Sequence, residues 1–95
     1  MKLVKTAFDG ALILEPVIYQ DGRGYFFESW NQRVFEEAGL YYDRVQDNES
    51  KSIYGTVRGI HYQKPPHAQA KLIRVLQGTI LDVIVDLRVG SSTYG

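Results

Sequence analysis

His61 and Lys71 are two side chains whose types suit removal of a proton from a carbon next to a carbonyl group. An ordinary histidine, with a pKa of about 6.5, is mostly neutral at neutral pH and can accept a proton, whereas lysine, with a pKa of about 10.4, remains a cation. His61 is therefore a candidate base, and Lys71 is a candidate partner for negative charge developing on the carbonyl oxygen. Considered alone, His61 also fits a hydrogen-bonded core histidine, which is the more frequent role.

Other kinds of catalytic site lack the residues that they need. The chain has no cysteine and two histidines, and Gln63 occupies the second position of a His-x-His metal motif, so a first-row metal would lack ligands. No glycine-rich phosphate loop opens a helix, and no Gly-x-Ser-x-Gly motif occurs. We therefore predict no metal or other cofactor. The second histidine, His67, follows two prolines and is predicted to lie in an exposed loop.

The candidate pair lies among three apolar-rich runs, 56–63, 71–76 and 81–87, which predict β-strands separated by turns. The alternation is clearest in the third run, whose apolar positions share one face while its aspartates, Asp82 and Asp86, share the other. We expect these aspartates to be structural or solvated.

Regular alternation in the first of these strands places Arg58 and His61 on opposite faces. A bulge at Gly59 would bring them to the same face, so we predict one there.

The N-terminal residues predict a hairpin and a further strand. Runs 2–8 and 11–19 are strand-like and flank Asp9-Gly10, a type I′ turn signal. Residues 25–30 alternate again, and Glu28 shares a face with aromatic residues on both sides, which suggests a rim position or a ligand contact. Before this strand, Arg23 stands between two glycines, where it is either a ligand-binding guanidinium or a solvated turn residue.

The only predicted helix covers residues 31–38. Asn31 can cap its start, Trp30 can pack against Phe35, and Gly39 can end it in the left-handed conformation. A strand follows over 41–52, in which the polar side chains of positions 46, 48 and 50 share one face. Gln46 and Asn48 then line either a polar pocket or an exposed edge.

Composition narrows the class of protein. A length of 95 residues predicts one soluble domain over 1–95. Because 11 basic side chains balance 11 acidic ones and no lysine run occurs, we predict that this domain binds no nucleic acid. No stretch is long and apolar enough for a membrane span or a signal peptide, and the lack of cysteine fits a cytoplasmic protein. Many short strands with one helix predict a mainly all-β sandwich or barrel.

Several long motifs closely resemble the dTDP-4-dehydrorhamnose 3,5-epimerase family. They are Asp-Gly-Arg-Gly-Tyr-Phe-Phe-Glu-Ser-Trp (21–30), Gly-Thr-Val-Arg-Gly-Ile-His-Tyr-Gln (55–63), Gln-Ala-Lys-Leu-Ile-Arg-Val-Leu-Gln-Gly (69–78) and Asp-Val-Ile-Val-Asp-Leu-Arg (82–88). The resemblance implies a cupin-like jelly roll, or double-stranded β-helix, here incomplete, in a homodimer with exchanged N-terminal strands. It implies epimerisation of dTDP-4-dehydro-6-deoxy-D-glucose at C3 and C5 without a cofactor.

The resemblance also implies roles for individual residues. His61 matches the general base and Lys71 the group that stabilises the enolate. The residues that match nucleotide and diphosphate contacts are Arg23, Glu28, Gln46, Asn48 and Arg58, with Phe26 near the thymine.

Family members are nearly twice as long, and the resemblance assigns the proton-donating tyrosine and the aspartate partner of the histidine to the other half. A single-position epimerase, a ketoisomerase, and a non-catalytic truncated β-domain that binds sugar nucleotides therefore remain alternatives.

Overall fold

The computed structural model describes all 95 residues, with their regular structure confined to the N-terminal part of the chain. The chain forms two compact units, one of residues 1–41 with 81–95 and the other of residues 42–80. The elements are four short strands and one helix: β1 (Lys2–Lys5), β2 (Leu12–Glu15), β3 (Ile18–Asp21), β4 (Gly24–Phe27) and α1 (Gln32–Glu37). The regular structure is thus mainly β, as two separate two-stranded antiparallel sheets. No helix has the length and apolar character that crossing a bilayer requires.

The first hairpin pairs β1 with β2, but its turn differs from the predicted one. The pairing ends at Lys5 and Leu12. Gly10 has a φ of 86°, and no residue other than glycine has a positive φ. A type I′ turn needs a positive φ at both central residues, so the prediction of that turn at Asp9-Gly10 is wrong. The physical reason is the Thr6 hydroxyl, which donates to the Ala11 carbonyl at 2.8 Å and accepts from the Phe8 N–H at 3.1 Å, holding a wider loop.

The predicted second strand, 11–19, is divided in two. Pro16 lies between β2 and β3, and proline has no N–H to continue a ladder. The chain leaves the first sheet there and enters the second, in which β3 pairs with β4. The partners Tyr19 and Phe26 lie opposite each other, and so do Asp21 and Gly24 at the turn.

The predicted helix is confirmed, together with its local signals. The Val34 N–H donates to the Asn31 side-chain oxygen at 3.2 Å, which caps the first turn. The rings of Trp30 and Phe35 lie 6.1 Å apart, and Phe35 is the one buried apolar residue of the chain. Gly39 has a φ of 81° and its N–H donates to the Glu36 carbonyl at 2.9 Å, so glycine ends the helix as predicted.

The strands predicted over 41–52, 56–63, 71–76 and 81–87 are absent, and no helix or strand follows α1. Apolar side chains of these runs remain exposed: Leu81 is 90% exposed and Val83 61%. The physical reason is that alternation specifies the faces of a strand, whereas a strand forms only against a hydrogen-bonding partner. The bulge predicted at Gly59 is likewise absent, because residues 57–61 belong to no ladder.

The C-terminal residues of the first unit form a hydrogen-bonded turn, which we call the Asp86 turn (residues 86–95). The side chain of Asp86 is 3% exposed, and its carboxylate accepts from the Arg88 backbone and guanidinium and from the hydroxyls of Ser91 and Thr93. The Gly95 N–H donates to the Asp86 carbonyl at 2.8 Å, which closes the segment on itself. Of the two predicted roles, structural or solvated, this arrangement gives Asp86 the structural one.

Candidate functional site

The β3–β4 hairpin brings three of the predicted binding residues, Arg23, Phe26 and Glu28, into one region. Its turn residues are Gly22 and Arg23, followed by Gly24 with a φ of 136°, a conformation that side chains rarely adopt. The turn therefore depends on glycine and presents Arg23 at the tip of the hairpin. Beyond β4, Glu28 accepts a hydrogen bond from the Asn31 amide at 3.1 Å, which ties it to the start of the helix.

Two open depressions adjoin this hairpin, and they share an aromatic pair. The first, of about 410 Å³, includes Arg23, and the second, of about 260 Å³, includes Glu28. Tyr19 and Phe26, which are cross-strand partners, line both. Both rings are largely exposed, so planar apolar surface lies next to a cation in one depression and a carboxylate in the other. The first depression, where the Arg23 cation lies beside the rings, suits a ligand with an aromatic part and an anionic part.

Arg23 is held by Asp21, two positions before it. The guanidinium Nη2 lies 2.7 Å from Oδ2 and Nε 3.2 Å from the same oxygen, while the Arg23 backbone N–H donates to Oδ1 at 2.8 Å. The side-chain hydrogen bond from Arg23, and after it the backbone one, lowers the pKa of Asp21, and the same ion pair raises the pKa of Arg23. The Arg23 side chain is 92% exposed. Arg23 is therefore a solvated turn residue that also lines a depression, and its binding of a ligand remains a prediction.

The other predicted site residues lie in the second unit and are exposed. The Arg58 Nη2 donates to the Lys51 carbonyl at 3.4 Å, and this is its one polar contact. The candidate base and its cationic partner, His61 and Lys71, form no hydrogen bond or ion pair, and neither lines the two depressions. The same holds for Gln46 and Asn48. His67 is exposed in a turn that its N–H closes on the Lys64 carbonyl at 2.9 Å, as predicted.

Sequence reasoning missed three features of the first unit. It assigned no role to Asp21 or to Tyr19, and it overlooked the hydroxyls around Asp86. The signal for the first was present, because an aspartate two positions before a turn residue often accepts its backbone N–H. Tyr19 could be found only from the register that sets it opposite Phe26. No group of three or more His, Cys, Asp or Glu side chains is arranged to hold a metal ion.

Comparison with known proteins places the chain in a family. The model of the dTDP-4-dehydrorhamnose 3,5-epimerase family matches residues 5–95. The curated protein of that name from Methanothermobacter thermautotrophicus is 52% identical over 99% of this chain. The one from Shigella flexneri is 51% identical over the whole chain. The Escherichia coli protein of the same name is 43% identical. The chain belongs to the dTDP-4-dehydrorhamnose 3,5-epimerase family, which confirms the resemblance seen in its motifs.

The chain spans about half the length of these relatives: 50% of the Methanothermobacter protein, 53% of the Shigella protein and 52% of the Escherichia coli protein. No solved structure matches the chain significantly.

Proposed function

We propose that this chain contributes the base and the nucleotide-binding residues of a dTDP-4-dehydrorhamnose 3,5-epimerase. The observation that carries the proposal is the family match over residues 5–95, together with relatives of that name that are 52% and 51% identical to the chain. The substrate is dTDP-4-dehydro-6-deoxy-D-glucose, whose C3 and C5 both flank the C4 carbonyl. The product is dTDP-4-dehydro-L-rhamnose, formed for dTDP-L-rhamnose synthesis.

In this proposal His61 takes the proton from C3, and in turn from C5, while the electron pair moves onto the C4 oxygen. The Lys71 ammonium stabilises the resulting enolate, which a preorganised cation does best in a site shielded from water. A proton returned to the opposite face of each carbon completes the inversion. The resemblance assigns that proton to a tyrosine beyond position 95, and the orientation of His61 to an aspartate also beyond it.

Six side chains are assigned to binding of the substrate. Arg23 and Arg58 hold the diphosphate and nucleotide together with Glu28, Gln46 and Asn48, and Phe26 contacts the thymine. The exposed ring of Phe26, next to the Arg23 depression, supports this assignment. Each arginine carries a guanidinium, the group that binds phosphate oxygens in pairs.

The fold and assembly are part of the same proposal. We assign residues 1–95 to a single cupin-like jelly-roll domain, in a cytoplasmic homodimer that exchanges N-terminal strands and uses no metal. The exposed outer edges of the two-stranded sheets and the exposed apolar side chains of 81–87 support a partner for these surfaces. The molar mass from light scattering tests the dimer. Activity that is retained after dialysis against a chelator would support independence from metal.

The direct test is entry of solvent deuterium into the 4-dehydro sugar. A suitable protein is this chain joined to the second half of the Methanothermobacter relative, which is 52% identical over the matched half. We expect deuterium at C3 and C5, and an His61→Ala variant that loses at least about 100-fold in exchange rate because its base is gone. Exchange that is absent from the unsubstituted chimera, or that survives His61→Ala unchanged, contradicts the proposal.

A second candidate is a β-domain that binds sugar nucleotides without turnover. It is favoured by the exposure of His61 and Lys71, which lack hydrogen-bond partners and line neither depression. Calorimetric binding of dTDP by the 95-residue chain, with no deuterium exchange in the chimera, would support it. Deuterium at one carbon only would instead identify a single-position epimerase or a ketoisomerase.

A further inference from the structure

We propose that Asp21 is a positioning residue that holds the Arg23 guanidinium ready for the phosphates of a nucleoside diphosphate. The inference rests on the proposed function, because it concerns the same ligand, but it assigns a role to a residue that the motif comparison left without one. The hydrogen bonds between the two side chains, and the place of Arg23 beside Tyr19 and Phe26, support this role.

Asp21 binds one edge of the guanidinium and leaves the other edge available. Of the five N–H donors of an arginine side chain, the carboxylate engages the Nε–H and one Nη2–H, with Nε and Nη2 at 3.2 and 2.7 Å from Oδ2. Three donors remain, namely both on Nη1 and one on Nη2, and no other group of the chain accepts from them. Two of the three lie on neighbouring nitrogens, which is the fork that binds phosphate oxygens in pairs.

The position of the pair fits a nucleotide. Arg23 lines the same depression as Tyr19 and Phe26, whose exposed rings offer stacking surface for a base. An arginine that is 92% exposed would otherwise sample many rotamers and lose that freedom on binding. Holding it beforehand reduces the ordering cost and therefore strengthens binding of the phosphates.

A competing role for Asp21 predicts the opposite change in diphosphate affinity when the carboxylate is removed. The carboxylate also neutralises the charge of Arg23, so removing it raises the positive potential at the turn and should tighten binding of an anion. If positioning dominates, loss of the carboxylate weakens diphosphate binding. If charge neutralisation dominates, the same change strengthens it.

Asp21→Asn is the variant that separates these roles. Asparagine keeps the side-chain oxygen that accepts the Arg23 backbone N–H, so the hairpin turn is retained, but it loses the charge-assisted two-point contact with the guanidinium. Titration calorimetry of the 95-residue chain with dTDP should show affinity weaker by about 3- to 10-fold, the range expected when one long side chain must be ordered on binding. Asp21→Glu, which keeps a carboxylate within reach, should restore most of the loss.

Two controls make the result specific. Glu37→Gln breaks a comparable exposed ion pair, Arg33–Glu37 at 2.8 Å on α1, and should leave dTDP affinity unchanged. Thymidine, which has no phosphate, should bind the Asp21→Asn variant as well as it binds the unsubstituted chain.

Each remaining outcome contradicts the positioning role alone or the positioning role together with the proposed nucleotide site. Unchanged or tighter dTDP binding by Asp21→Asn overturns the positioning role while leaving the proposed function intact. Equal loss of thymidine and dTDP overturns it too, because the variant has then damaged the hairpin. An unsubstituted chain that does not bind dTDP overturns both the positioning role and the proposed nucleotide site.

Discussion

Two turns of this chain contain the same Asp-x-Arg pattern, Asp21-Gly22-Arg23 and Asp86-Leu87-Arg88. In each, the arginine N–H donates to the aspartate Oδ1, at 2.8 Å in the first and 2.9 Å in the second, and the guanidinium donates to the same carboxylate. In both, the side-chain hydrogen bond from the arginine is the largest cause that lowers the pKa of the aspartate. The local pattern is thus the same.

The surroundings separate the two turns. The Asp21 side chain is 53% exposed, whereas that of Asp86 is 3% exposed and accepts the hydroxyls of Ser91 and Thr93, each at 2.6 Å. These hydroxyls add to the effect of Arg88 and hold the pKa of Asp86 far below its usual range. The same local pattern is therefore open to solvent in one turn, whereas in the other two nearby hydroxyls complete the carboxylate and the turn closes around it.

The largest expected effect follows from Asp86→Ala. This change removes the acceptor of Arg88, Ser91 and Thr93 at once, so the Asp86 turn should open. Hydrogen exchange at the Tyr94 and Gly95 amides, which donate inside the turn, should accelerate by about tenfold or more. Unchanged protection would show that the turn forms without its carboxylate and would end the distinction between the two turns.

A smaller effect is expected from Thr93→Val, which keeps the shape of the side chain and removes one of the two hydroxyl donors. Asp86 retains Arg88 and Ser91, so we expect exchange at the same amides to accelerate by only about threefold. Ser92→Ala is the matched control, because the exposed Ser92 side chain makes no hydrogen bond. If the control and Thr93→Val behave alike, the hydroxyl contributes nothing.

The smallest effect concerns acid pH. Both aspartates have a folded-state pKa below the unfolded value of about 3.9, so the stabilisation each provides is present above that pH and is lost as the pH falls through the folded pKa. Because Asp86 has more hydrogen bonds, it should stay ionised to a lower pH than Asp21. Carboxyl chemical shifts followed by NMR during acid titration measure the order, and protonation of Asp86 first would contradict the structural difference.

The parts of the fold that sequence reasoning predicted are those with local signals. Helix α1 has its cap at Asn31, its aromatic contact between Trp30 and Phe35, and its stop at Gly39, all within ten residues. The strands predicted over 56–63 and 71–76 have alternation but no partner in this chain, and alternation cannot provide one. The break at Pro16 was predictable from the missing N–H of proline, but the apolar residues around it suggested one long strand.

The candidate site shows the same division. The glycines around Arg23 left a ligand-binding guanidinium and a solvated turn residue as alternatives, and the structure adds that Asp21 holds the guanidinium and that Phe26 lines the same depression. The grouping of Phe26 with Tyr19 depends on the register of β3 and β4. The roles of His61 as base and Lys71 as its cationic partner remain predictions, since both side chains are exposed outside the two depressions.

The sequence by itself determined the family, through long motifs in the right order, and the local elements whose hydrogen bonds join residues a few positions apart. Only the tertiary structure decided which of two identical Asp-x-Arg patterns became buried and which binding residues share a surface. The physical reason is that a helix cap needs only its nearest neighbours, whereas the burial of Asp86 and the pairing of β3 with β4 depend on how a whole segment folds on itself.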